Sequence, residues 1–411
     1  MKRLAFLLLV AACNPSGEGT PDASASPQAS AEPALLAAAP PTVASATAVS
    51  LLPEGGPPPT PLRTDERLAS DGLARERETN VGWTLSAAFR PADVVVPPRA
   101  PEVNAAGIDA ARKKTELRLA VDLGPSRMRV ALAGTGFVLP AETEIRARSD
   151  RYGHVVVWPG GITYRTLAPG ALRALLGERR FDVAPIGTAD VSPSNEQGKR
   201  IAIRTRKAEV ATRAAKATFE IGKQEGLGEG GILLCRLLLD LMNAPPQTSL
   251  CLYDELPMRV ELRWTGHGSL AFEVTGILKK TDMPQTPLLV PPAGASFVAS
   301  APPGRADLQL TQQELAALRT GPIDVPPPAS PGPPPPDGLA ATNQTLQLRM
   351  LYVDGVSAAW LMPGERLVLP GLVRGRYVVQ WRTFFGDALE PPQTLVVPGS
   401  TGLGVADAGA H

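Results

Sequence analysis

From residue 116 to residue 167 the chain alternates apolar and polar positions. Leu117, Leu119 and Val121 fall on one face, Gly124-Pro125 turns the backbone, and Met128, Val130 and Leu132 again share a face. That period of two predicts an antiparallel hairpin. Further strands are predicted over 137–139, 144–148, 153–158 and 162–167, with Trp158-Pro159-Gly160-Gly161 as the turn between the last two. Pro169 opens a short helix over 170–180, because a proline in the first turn forfeits no hydrogen bond. Two more strands are predicted over 199–206 and 208–221, although the alanines of the second also allow a helix.

The strongest helix lies near 231–243. Glu229, Arg236, Asp240 and Asn243 make one polar stripe on a circumference of Ile, Leu, Cys and Met, the pattern of a buried helix. Pro245-Pro246 ends it. Strands follow over 250–253, 258–264, 270–278 and 296–300, and Thr311-Gln312-Gln313-Glu314 is a capping box that opens a helix to about Arg319. Residues 80–110 are ambiguous: Trp83 and Phe89 suggest folded structure, and Val94-Val95-Val96-Pro97-Pro98 suggests a short edge strand.

Two stretches break the periodicity. Residues 13–75 are rich in Pro, Ala and Ser and bury too little apolar surface to offset ordering entropy, so they predict a disordered tether. Residues 326–341 open as nearly pure proline and predict a stiff linker. The main β-rich domain is therefore placed at 80–325 and a compact all-β unit at 342–400, with a disordered tail at 401–411. In that unit the run Tyr352-Val353-Asp354-Gly355, then Pro363-Gly364, Leu369-Pro370-Gly371-Leu372 and Arg374-Gly375-Arg376-Tyr377-Val378-Val379 resembles the PEGA-type modules of bacterial envelope proteins and the transthyretin-like appendages of carboxypeptidases. The resemblance implies a small, non-catalytic β-sandwich. The single copy and the longer segment 382–392 depart from the family pattern. The expected fold class is thus α+β, mostly antiparallel β, with a disordered proline-rich N-terminal tether and a small C-terminal β-sandwich.

The first residues supply an address. Lys2 and Arg3 precede an apolar run from Leu4 to Val10 that is too short to span a bilayer, then small residues. Val10-Ala11-Ala12-Cys13 resembles the lipobox of bacterial lipoproteins at every position. The resemblance implies a signal peptide at 1–12, cleavage before Cys13, and acyl chains on Cys13 that anchor the protein in a membrane. Asn14, rather than aspartate, points within that family to the outer membrane. An ordinary secretory signal with an incidental cysteine is the alternative.

Composition adds mostly exclusions. The 411 residues carry a formal net charge of +1, so no global charge calls for nucleic acid. With Cys13 lipidated, two of the three cysteines remain, Cys235 and Cys251, an even pair in an oxidising compartment. They form a disulfide or serve as two small buried apolar groups. No nucleophile elbow, zincin helix, Walker loop or CxxC motif occurs, and no metal or cofactor is expected.

By alternation Tyr152, His154 and Trp158 share a strand face, with Tyr164 on the partner strand. These four form either an aromatic surface for a glycan or protein, or simply core with His154 hydrogen-bonded inside it. Lys199, Arg200, Arg204, Arg206 and Lys207 form a basic patch or a solvated strand face. The expected function is a membrane-anchored envelope lipoprotein that binds or scaffolds, with an envelope protein or glycan as partner. An envelope hydrolase using Asp240 or Asp254 near His267, or an accessory subunit of a surface machine, are the alternatives.

Overall fold

Two strand meanders meet on one N-terminal strand. The computed structural model describes residues 59–71, 79–180, 188–213, 215–242, 244–246, 248–264, 268–300, 307–324 and 337–404. Cys13 and the rest of 1–58, His267, Asn243, most of the proline-rich linker and residues 405–411 lie outside the described residues. In chain order the elements are β1 (Thr60–Pro61), β2 (Thr79–Pro91), α1 (Ala105–Thr115), β3 (Leu117–Gly124), β4 (Arg127–Leu132), β5 (Glu144–Arg148), β6 (Arg151–Val157), β7 (Thr163–Leu167) and α2 (Leu172–Glu178). There follow β8 (Ala189–Arg200), β9 (Ile203–Thr212), β10 (Ala215–Lys223), α3 (Gly230–Leu241), β11 (Glu255–Trp264), β12 (Ser269–Pro284), β13 (Ser296–Phe297), β14 (Asp307–Leu308) and α4 (Gln312–Ala316).

The large sheet runs β13-β7-β6-β5-β4-β3-β2-β12-β11-β10-β9-β8, with β1 added beside β6. It is antiparallel except where the two-residue strands β1 and β13 join it. The strands β3 to β7 and β8 to β12 are each consecutive meanders, and β2 joins them by pairing with β3 on one edge and β12 on the other. One face is apolar from Leu85 and Phe89 through Val130 and Leu167 on one wing and Phe219, Met258 and Phe272 on the other. Helix α3 lies on that face and packs on both β4 and β11, which three strands separate in the sheet, so the sheet wraps around the helix. Gly231 permits this approach, since a Cβ there would meet the Glu255 carbonyl oxygen at 1.9 Å. The opposite face of β6 and β7 is covered too. Leu62 and Leu68 pack there with Val155, Val157, Tyr164 and Val290.

The C-terminal part contains β15 (Leu339–Asn343), β16 (Arg349–Val353), β17 (Val356–Leu361), β18 (Arg366–Leu369), β19 (Gly375–Arg382), β20 (Gln393–Val397) and β21 (Gly399–Leu403). Sheets β14-β17-β16-β19-β20 and β18-β15-β21 close on one core that includes Leu339, Leu351, Val353, Leu369, Tyr377 and Trp381. Asp354 and Gly355 both have positive φ, the conformation of a two-residue hairpin turn. The Asp354 carboxylate is buried, accepts from Val378 N at 3.0 Å and pairs with Arg319.

Several expectations need correction. Residues 59–71, assigned to the tether by composition, are strapped to the body: Leu62 N donates to Tyr152 O at 2.7 Å, and Asp65 and Glu66 pair with Arg165 and Arg151. Residues 94–96 and 137–139 form no strand. Helix α1 was not foreseen. Asn104 caps it, and Ile108 and Ala111 are buried in the C-terminal core together with Leu310, Leu315 and Leu318. That core therefore recruits residues from well before the linker. Its first strand begins at Leu339, inside the predicted linker, and Thr401–Leu403 of the predicted tail belong to β21.

Candidate functional site

The aromatic surface expected from alternation divides into two places. Antiparallel partners share a face, and Val157 pairs with Tyr164, so Tyr164 lies on the opposite side from His154 and Trp158. Its hydroxyl donates to Leu68 O at 2.8 Å and accepts from Leu68 N at 3.1 Å, holding the strap. Trp158 is buried in the main core. Neither is available to a glycan.

Tyr152 and His154 do come together, against α3. Arg236 lies 4.4 Å over the Tyr152 ring, and the Tyr152 hydroxyl donates to Pro246 O. His154 Nε2 and Asp240 Oδ2 approach to 3.3 Å, with both side chains buried, without aligning as a hydrogen bond. Burial pushes the Tyr152 phenol above its usual pKa, with Arg236 opposing, and burial lowers Arg236. The space between these groups is about 20 Å³, room for roughly one water. This cluster fastens α3 to β6. Asp254, the other acid of the hydrolase alternative, sits in a turn at φ 62° and accepts from Gly228 N at 2.7 Å.

The basic stretch is partly neutralised across the sheet, and Lys199 and Arg204 are exposed opposite each other on β8 and β9. Arg200 pairs with Glu220, Arg206 with Glu255, Lys207 with Glu196 and Lys216 with Glu209. Among the described residues no group of three or more His, Cys, Asp or Glu side chains converges to hold a metal.

The cavity that sequence reasoning missed lies between the wrapped sheet and its helices. Phe89, Leu119, Val130, Leu132, Ile145, Leu270 and Phe272 form its floor. Leu234, Leu237, Leu238 and Leu241 of α3 with Leu172 and Leu176 of α2 form its roof. Residues 137–139 close one side and Phe384 another. Its volume is about 80 Å³ and no polar atom contributes to its wall. The disulfide Cys235–Cys251, with Cα atoms 6.2 Å apart, ties α3 to the loop before β11 and so braces the roof.

Phe384 comes from the longer segment that departs from the PEGA pattern. Phe384 and Phe385 insert into the main core, where Phe385 lies 4.5 Å from Trp264 and Phe384 6.5 Å from Phe137, centroid to centroid. Arg382 donates to Ala92 O at 3.0 Å, Gly386 O at 2.8 Å and Asp93 O. The C-terminal sandwich is thereby locked to the body, and it supplies one wall of the cavity.

No protein-family model and no curated protein matches the chain. Among solved structures it is similar to PNGF-II in C2 and P21 space groups, with TM-scores of 0.29 and 0.28 and sequence identities of 8% and 10%. The match covers 53% of this chain and 30% and 31% of those chains, too slight a likeness to inform fold or function.

Proposed function

We propose that this protein is an envelope lipoprotein, moored to the outer membrane through lipidated Cys13, whose body binds an apolar molecule and catalyses no reaction. One observation carries the binding half: a cavity of about 80 Å³ walled only by apolar side chains and roofed by a disulfide-braced helix. Protein interiors are close-packed, and voids of this size are few. A wall without polar atoms offers water no partner, so an apolar occupant gains dispersion contacts there at no desolvation cost. The lipobox supports the mooring half, because a protein held at a bilayer has apolar chains within reach.

Displacement of the neutral dye Nile red from the purified chain by dodecanol tests the binding. We expect saturable displacement at one site, and Val130→Phe, which fills the cavity, should weaken it at least tenfold. Should Val130→Phe fold poorly, Leu176→Phe blocks the same space from the roof. Displacement that both filling variants leave unchanged overturns the reading. For the mooring, Cys13→Ser should release the protein from the membrane fraction.

A further inference from the structure

The triplet Val94-Val95-Val96 carries a strand signal, and the structure leaves it without a partner. Valine favours extended backbone, and Pro97 biases Val96 the same way. Yet these three residues belong to no sheet. Among the described residues no N–H or C=O of the triplet makes a backbone hydrogen bond. The triplet is held in place all the same. Val94 packs on the main core, and the turn at Gly355 sits so close that a Cβ there would meet Val95 O at 2.5 Å. Val96 is 68% exposed. Unpaired amides beside an exposed valine are a template for an added strand.

A groove runs beside the triplet, between the main body and the C-terminal sandwich. Phe89, Val94 and Leu117 give it apolar walls, and Tyr352 and Ser357, cross-strand neighbours on β16 and β17, bring hydroxyls. Its volume is about 480 Å³, within the range of ligand sites. Val96, Asp109 and Arg112 also line a second depression of about 500 Å³ that continues past Pro97 to Val103. The two together make an elongated channel, which suits an extended chain better than a compact molecule. Ser357 is 5% exposed, and its Oγ meets no partner in hydrogen-bonding geometry. Burial pushes the Tyr352 phenol up to about 12, with Arg382 and the Ser357 hydroxyl opposing, so the phenol stays protonated at neutral pH.

The rim supplies charge. Arg112 and Lys113, in the last turn of α1, both line the groove. Arg112 donates from Nε to Gly355 O at 3.3 Å and from Nη2 to Asp354 O at 3.2 Å, both neutral carbonyls. Among the described residues neither Arg112 nor Lys113 pairs with a carboxylate, whereas Lys114 pairs with Glu314 and Arg90 with Glu116. Asp109, one turn earlier on α1, is the acid opposing these two cations.

We propose that this channel binds the carboxyl end of an extended peptide, independently of the apolar cavity described above. The peptide pairs with Val94–Val96 as an added strand, and its terminal carboxylate meets Arg112 and Lys113. Its last side chain enters between Phe89 and Leu117, and Ser357 gains the partner it lacks.

Calorimetric titration of the purified full chain with acetyl-Thr-Val-Phe, acetyl-Thr-Val-Val and acetyl-Thr-Val-Ala, each as free acid and as carboxamide, tests this. At least one acid should bind more than tenfold tighter than its amide. Lys113 is exposed, so Lys113→Glu should fold normally and should abolish that preference. Independently of any variant, bound peptide should slow amide hydrogen exchange at Val94–Val96 at least tenfold. Val130→Phe, which fills the apolar cavity, should leave peptide affinity within twofold. Failure of all three acids to bind at millimolar concentration, equal binding of acids and amides, a preference unchanged by Lys113→Glu, or binding without slowed exchange at 94–96 overturns the proposal and leaves the cavity reading standing. Peptide binding that Val130→Phe weakens tenfold overturns it as well, because the peptide then occupies the apolar cavity.

Discussion

Arg127 and Arg179 are buried to similar depth, 6% and 3% exposed, yet among the described residues only Arg127 has its Nε and Nη2 edge filled by an anion. Arg127 faces the strap, and Asp71, arriving from 56 residues away, fills its Nε and Nη2 edge. Arg179 caps α2, and among the described residues nothing accepts from that edge. The first charge is matched within the fold, and its partner fixes the strap in place. The second has no such partner among the described residues and raises the energy of the folded protein.

Substitutions on the two sides of this comparison should have opposite signs. Asp71→Ala should cost the most, about 3–5 kcal/mol, because it leaves Arg127 as unanswered as Arg179. A urea unfolding midpoint that barely moves would mean the strap contributes little. Removing the Cys235–Cys251 bond by paired serine substitution should cost about 3 kcal/mol for a loop of this length. In the same variant the looser roof should weaken dodecanol binding. Arg179→Met should stabilise the unliganded protein by about 1–3 kcal/mol, since an apolar side chain replaces an unpaired buried charge. If instead it destabilises, Arg179 has a structural partner and the comparison fails.

The smallest effect concerns acid. Hydrogen bonding from Arg200 holds Glu220 below its ordinary 4.5, with burial opposing and Arg259 adding to the depression. Its folded value is depressed, so its contribution is present above the unfolded value and is lost as pH falls through the folded one. Stability should therefore decline below about pH 4.5, and Glu220→Gln should flatten part of that decline. Arg179→Met removes no hydrogen bond to a carboxylate among the described residues, so it should alter the acid limb less than Glu220→Gln does.

Much of the fold was legible because the elements carry strong local signals. Helix α3 announces itself through one polar stripe and Pro245-Pro246, and α4 through its capping box, which the structure contains in full. Helix α1 was missed because Ala105–Thr115 has Ile108 as its one large apolar residue and buries only Ile108, Ala111 and Thr115. Strand β8 was missed because Ser, Asn, Gln and Pro193 occupy it, tolerable on the outermost strand of the sheet. The aromatic surface failed at a different step. Alternation orders residues within a strand, but only the register between strands decides whether Tyr164 joins His154 or opposes it. The candidate site was the least legible. Its wall gathers leucines and phenylalanines from distant parts of the chain, each an ordinary core residue in isolation. Glu178-Arg179-Arg180 looks like any solvated helix end, and Arg179's missing partner emerges only from three-dimensional neighbours.

Strand β2 has a consequence for how the molecule is made. It leaves the ribosome ahead of both partners, and β12 is the later to arrive. Until then β3 can satisfy one side of β2 while the other displays unpaired amides along a run containing Trp83, Leu85 and Phe89. Such an edge is a template for pairing with other chains. Nascent molecules halted before β12 should therefore aggregate or need a holding chaperone, whereas those halted after it should not.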